Sequence, residues 1–215
     1  MLLFNDFLLL SPPGDPWPAG LYGLDAAALE YLNGSRITHL DFLLQLVTLT
    51  AYGLGALVPV GLYAAGHLKR LVWFKLRAFQ FAGAMGLNVL LVATLKYAVD
   101  RPRPFVAGHA VVQLAEAASP SFPSGHTAFA FTAAVALILM FPHRWLRLLV
   151  LAWALLVAYS RLALGVHYPS DVLASVLIGS ASAVLAGYAF RQHRTRVFAL
   201  LREARRLSPK DRRPS

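Results

Sequence analysis

Apolar stretches long enough to cross a bilayer run through most of this chain, and they exclude most of what 215 residues could otherwise become. Residues 42–66 pass without a single charge, and 78–95, 124–141, 145–164 and 171–190 are nearly as apolar. Each is close to the roughly 20 residues that a helix needs to span the hydrocarbon core. Water is absent there, so each span must satisfy its backbone internally, which makes a helix the expectation for every one. The expected fold is therefore all-α: a polytopic membrane helix bundle of five transmembrane helices, preceded by an N-terminal interfacial helix. Composition agrees, with 58% hydrophobic residues, 14% charged and a mean hydropathy of +0.57. A soluble domain carries about a quarter charged residues. The absence of cysteine excludes a disulfide scaffold, thiolate metal ligands and a thiol nucleophile.

Three regions follow from this pattern. Residues 1–41 form an N-terminal interfacial segment: a short apolar start without the positive charges of a signal peptide, a turn rich in Pro and Gly, and a short helix. Asp25 is expected to cap that helix and Asn33-Gly34-Ser35 to end it, with Trp17 and Tyr22 in the headgroup layer. Residues 42–190 form the transmembrane core, and 191–215 a basic tail. Ser124 after Pro123, and Ser170 after Pro169, read as N-caps of the third and fifth spans.

Charge orients the bundle. Five crossings place Arg36, Lys96, Arg101, Arg103 and Arg161 on one face with most of the acids, while the other 15 of the 20 Lys and Arg residues lie on the opposite face and the tail. By the positive-inside tendency the tail is cytoplasmic, the loop 97–123 is outside, and the protein is expected in the cell membrane. The net charge of +10 thus reports topology and contact with anionic lipid rather than nucleic-acid binding.

Ionisable residues near membrane spans are costly, and here they converge. Lys96 and Arg103 close the second span, Ser124 and His126 open the third, Arg161 and His167 close the fourth, and Asp171 opens the fifth. An up-down topology brings all seven to the outer face. Taken singly, each has a bland reading: Lys96 and Arg161 could snorkel to the headgroups, and His126 could cap a helix. Taken together they suit a phosphate. Arg103 and Arg161 offer forked donors, Lys96 a point charge, and the helix start at Ser124 and Gly125 offers free N–H groups with the positive end of a dipole. His167 lies four residues before Asp171, so the carboxylate can orient one ring nitrogen while the other attacks phosphorus, with His126 protonating the leaving oxygen. The arrangement calls for no metal and no cofactor.

These residues resemble the type 2 phosphatidic acid phosphatases, a family that includes lipid phosphate phosphatases, undecaprenyl diphosphate phosphatases and vanadium haloperoxidases. Its first motif reads Lys96-YAVDRP-Arg103-Pro104, its second Pro123-Ser124-Gly125-His126, and its third Ser160-Arg161-LALGV-His167-YPS-Asp171. The motifs cover residues 96–171. The resemblance implies His167 as a nucleophile that forms a phosphohistidine, Asp171 as its partner, His126 as the acid, and Lys96, Arg103, Ser124, Gly125 and Arg161 as phosphate ligands. Residues 1–41 depart from the six-span pattern of many members.

The expected activity is that of a metal-independent lipid phosphatase at the outer face of the membrane, since a site at interface depth lets a lipid tail stay in the bilayer. Undecaprenyl diphosphate is the first-choice substrate, followed closely by phosphatidic acid and phosphatidylglycerol phosphate. A phosphotransferase would use the same residues, and a non-catalytic transporter or assembly subunit would not need them. Five apolar spans argue against a soluble haloperoxidase. Outside the motifs, Arg101 is expected to pair with Asp100 or lipid headgroups, His109 and Glu116 to be solvated, and His67, His143 and His193 to lie on the cytoplasmic surface. Gly53 with Gly55, and Gly83 with Gly86, are expected to allow close helix packing. No span carries a signal that sets an oligomeric state.

Overall fold

A computed structural model describes residues 16–206, with side chains through residue 193. The apolar start, most of the turn after it and the end of the basic tail lie outside the described residues. The described chain is all-helical: α1 (Ala19–Gly34), a short 3-10 turn (Thr38–Leu40), α2 (Asp41–Leu68), α3 (Val72–Val99), α4 (Gly125–Met140), α5 (Arg144–Ala163) and α6 (Pro169–Arg206).

Four segments are long and apolar enough to cross a membrane: Thr38–Leu68, Val72–Val99, Arg144–Ala163 and Pro169–His193. The remaining span read from the sequence is α4, an apolar helix of 16 residues, or about 24 Å. The count of five full crossings is therefore approximate. α4 can be short because it sits inside the bundle, packed against α2, α3, α5 and α6. Its small residues Ala128, Ala130, Ala133, Ala134 and Ala136 are all buried, which lets the neighbours approach its backbone. At Gly179 of α6 this goes furthest: a Cβ there would lie 2.4 Å from the Ala128 carbonyl oxygen. Of the glycine pairs named above, Gly55 meets Phe129, whereas Gly53, Gly83 and Gly86 have nothing within 4 Å of a Cβ position and face open space.

α1 begins at Ala19, directly after Pro18, because proline suits a helix start but not its interior. Asp25 therefore lies within the helix and is no N-cap; Arg101 draws it inward, where it is buried. α1 packs against α5 and α6, with Tyr22, Ala26 and Leu29 against Tyr168. Tyr22 is thus buried against protein. Asn33, where α1 was expected to end, clamps the loop: its Nδ2 donates to the carbonyls of Val112 (3.1 Å) and Ala163 (2.7 Å), and its Oδ1 accepts from the Val112 N–H (2.8 Å). Gln45 of α2 donates to Leu114 O at 2.8 Å. The loop 100–124 is thereby tied down across the end of the bundle at which α3 and α5 finish and α4 and α6 begin.

Candidate active site

The four helix ends bring the three motifs together. α5 ends at Ala163, and Gly165, at φ +70°, turns the chain back. A side chain could not replace that glycine freely, since its Cβ would lie 2.6 Å from Val112 O. The turn delivers His167, 2% exposed, just before α6. Pro169 opens α6, a position that suits its missing N–H. Ser170 is consequently in the first turn and not the N-cap; its N–H bonds to Asp25 Oδ1 at 2.8 Å, and the Tyr168 N–H is taken by Asp171 Oδ2 at 3.0 Å.

His167 presents its two nitrogens to different partners. Nδ1 faces Asp171 Oδ2 at 3.7 Å, a charge-pair distance beyond hydrogen-bond range, and Nε2 lies 3.4 Å from Nη1 of Arg103. A guanidinium can only donate, so this contact leaves the ring proton on Nδ1, towards the carboxylate. Asp171 is fully buried and heavily bonded: Oδ1 accepts from Arg101 Nη1 (2.7 Å), and Oδ2 from Ser121 Oγ (2.5 Å) as well as the Tyr168 N–H.

Three cations stand near the ring. Arg103 is aimed by Ser119 O, which accepts from Nε at 2.6 Å, and by Val166 O, which accepts from Nη1 at 2.7 Å. Lys96 Nζ donates to Pro120 O at 2.5 Å. Arg161, 2% exposed, gives Nη1 to Thr48 Oγ1 at 2.8 Å, while its buried Nε has no hydrogen-bond partner among the described residues. Such an orphaned charged donor suits an anion. Ser124 is the N-cap of α4, as read from the sequence, though its Oγ bonds Thr127 Oγ1 (3.0 Å) and no backbone N–H. The first N–H groups of α4 have no intrahelical acceptor and point out of the helix start. His126 stands in the same turn with its ring edge-on to Tyr52, centroids 4.4 Å apart.

Electrostatics follow from this crowding. Burial, and then the positive charges of Arg103, Arg161, Lys96 and His126, hold His167 well below the ordinary histidine value. Burial also lowers Arg103 to about 10, with Asp171 pulling the other way, so it remains a cation at neutral pH.

All eight residues predicted for the site thus stand at one end of the bundle. Several others were missed. Arg101 is no partner of Asp100 or the headgroups: it is fully buried, with Nη1 on Asp171 and Nη2 2.8 Å from Asp25 Oδ2. His109 is not a solvated loop residue; it bonds the Tyr22 hydroxyl and pairs with Glu30 at 3.4 Å, and Glu116 is exposed as expected. His67, His143 and His193 are exposed. Thr48 and Tyr52, one turn apart on α2, had no motif to mark them. Tyr52 reaches so far over the α4 start that a Cβ on Gly125 would lie 2.8 Å from its hydroxyl. The available signal was their polarity at i and i+4 in an otherwise apolar span.

Comparison with known proteins gives this geometry a context. Residues 77–196 match the family model of the PAP2 superfamily. The chain is 28% identical over 176 residues to a lipid A 4'-phosphatase of Bacteroides thetaiotaomicron, covering 74% of this chain and 73% of that protein. It is 30% identical over 154 residues to the undecaprenyl-diphosphatase BcrC of Bacillus subtilis, covering 70% and 73%. Among solved structures, LpxE of Aquifex aeolicus superposes with a TM-score of 0.62 at 29% identity, over 76% of this chain and 94% of that one. A PAP2-type phosphatidylglycerolphosphate phosphatase of Bacillus subtilis shares the fold, with a TM-score of 0.62 at 22% identity, over 89% and 94%. Asp25, Thr48 and Tyr52 lie before the matched segment, whereas the three motifs fall inside it. With more than half its length matched and its polar residues gathered at one end of a membrane bundle, the chain belongs to the PAP2 superfamily of membrane lipid phosphatases.

Proposed function

We propose that the protein hydrolyses a lipid phosphate or diphosphate at the extracytoplasmic face of the cell membrane, through a phosphohistidine on His167. The observation that carries this reading is the two-sided setting of His167: Nε2 lies 3.4 Å from Arg103, with the charges of Arg161 and Lys96 close enough to act on the ring, and Nδ1 faces Asp171. Phosphoryl transfer needs little beyond positioning and charge stabilisation, and such a setting supplies both.

The steps balance as follows. His167 Nε2 forms a bond to the terminal phosphorus as that atom's bond to the leaving oxygen breaks, the ester oxygen of a lipid monophosphate or the bridging oxygen of a diphosphate, and His126 gives that oxygen its proton. The Nδ1 proton stays on the ring, with Asp171 balancing the positive charge that develops. Water then attacks the phosphohistidine and passes a proton to His126, releasing inorganic phosphate. Arg103, Arg161, Lys96 and the N–H groups after Ser124 hold the phosphoryl oxygens throughout, and Gly125 keeps the backbone approachable. Neither step uses a metal ion.

Undecaprenyl diphosphate is the preferred substrate. An outward-facing site fits a carrier released on that side, and relatives named undecaprenyl-diphosphatase support it. Relatives named lipid A phosphatase make a lipid A phosphate the principal competitor. The test is inorganic phosphate release in EDTA from undecaprenyl diphosphate, lipid A, phosphatidic acid and phosphatidylglycerol phosphate, by wild type and His167→Ala. Release by wild type alone is expected, fastest from undecaprenyl diphosphate. Activity surviving in His167→Ala removes the nucleophile assignment, and no release from any of the four removes the hydrolase.

A further inference from the structure

We infer that Arg101, held from behind by Asp25 of α1, is a positioning residue for the His167–Asp171 pair, so that the N-terminal helix is a working part of the catalytic apparatus; this rests on the role proposed above for that pair. The contacts form an unbroken chain. Arg101 is 0% exposed. Nη1 donates to Asp171 Oδ1 and to Ser170 Oγ, both at 2.7 Å, and Nη2 donates to Asp25 Oδ2 at 2.8 Å. Asp25 in turn accepts the Ser170 N–H at 2.8 Å and the Ser170 hydroxyl. The guanidinium lies over the Tyr168 ring, 3.9 Å from its centroid, and 5.9 Å from that of Trp17.

The geometry fits orientation better than adhesion. Arg101 holds Oδ1, and with Ser121 and the Tyr168 N–H on Oδ2 it fixes the rotation of the carboxylate whose Oδ2 faces His167 Nδ1. The fork of an arginine reaches both carboxylates and Ser170 at once, which a lysine could not do. The two carboxylates and one cation buried together among the described residues are also an expensive way to attach a helix that already buries Tyr22, Ala26 and Leu29. Burial pushes the Asp25 carboxyl above the usual carboxylate range even though Ser170 and Arg101 pull it down. A helix needed only for packing would be better served by an apolar residue at that position.

The experiment uses the full chain in detergent and whichever of the four lipids above wild type hydrolyses fastest. Rates are measured for Arg101→Gln, Asp25→Asn, Asp171→Asn and the double variant Arg101→Gln/Asp171→Asn, with unfolding midpoints alongside. A residue that acts through Asp171 gives non-additive losses. Each single substitution is expected to lower kcat about 10–100-fold with KM within about threefold, and the double variant to be no slower than Asp171→Asn. Losses that multiply in the double variant, or an unchanged kcat in Arg101→Gln, overturn the inference. Where Arg101→Gln does not fold, the same cycle is run with Asp25→Asn and Asp171→Asn and decides by the same criteria. An Asp171→Asn variant with wild-type kcat would remove the role of the His167–Asp171 pair itself and the inference with it; a slow Asp171→Asn with multiplying losses removes the inference alone.

Discussion

Burial, reinforced by the positive charges of Arg103, Arg161, Lys96 and His126, keeps the His167 imidazole unprotonated at pH values where a free histidine would be charged. Protonation would remove the lone pair on Nε2, so the sign of the effect on activity is definite. As pH falls, the nucleophile persists below 6.5, the ordinary histidine value, and is lost only when its own depressed value is reached. With the substrate's own ionisation near pH 6 divided out, kcat/KM is expected to show no downturn from the nucleophile at 6.5. A downturn at 6.5 that persists across substrates would mean that His167 titrates as it would in water. At this scale the sequence was informative where chemistry is written in spacing: His167 and Asp171 are four apart, and Ser124 to His126 open a helix. It misled on Arg101 and Asp25 and was silent on Thr48 and Tyr52. Their roles come from contacts between positions far apart in the chain, 76 residues for Arg101 with Asp25 and 113 for Arg161 with Thr48, and no local pattern encodes those.

α4 shows how an element can be read correctly in kind and imprecisely in extent. Its apolar character marks a buried segment, but a run of small apolar residues does not say whether lipid or protein surrounds it. Here protein does: the long helices α2, α3, α5 and α6 cross around it, and 16 residues suffice to carry the Ser124 end to the cradle. The glycines make the same point. Spacing alone offered Gly53, Gly55, Gly83 and Gly86 as packing sites, yet the tightest approach is at Gly179, where α6 presses on the Ala128 carbonyl. Gly179→Ala is therefore expected to destabilise the bundle by about 1–3 kcal/mol, because backbone on both sides must give way. Gly83→Ala meets open space and is expected to be neutral or to gain up to about 1 kcal/mol from helix propensity. Unfolding midpoints of the two variants in detergent check this, and equal midpoints would show that α4 and α6 are not in such close contact.

On the scale of the whole molecule, every group of the proposed mechanism lies at one end of the bundle, so the side of the membrane reached by the substrate depends on the chain's orientation. Loop charges argue for a single answer. The exposed His143 end and the tail carry most of the Lys and Arg residues, while the end with Lys96, Arg103 and Arg161 also holds Asp25, Asp171 and Glu116 and has few cations outside the site itself. Translocation retains positive loops on the cytoplasmic side, which supports the proposed outward-facing site. The chain has no cysteine, so single introduced thiols report without background. Val106→Cys, at an exposed position in the loop 100–124, is expected to react with a membrane-impermeant maleimide on intact cells. His143→Cys, between α4 and α5, is expected to react only after the membrane is opened. The reverse pattern would turn the site to the cytoplasm and give it inner-leaflet lipid phosphates, and with that the argument for undecaprenyl diphosphate from an outward-facing site would fall while the chemistry at His167 stood unchanged.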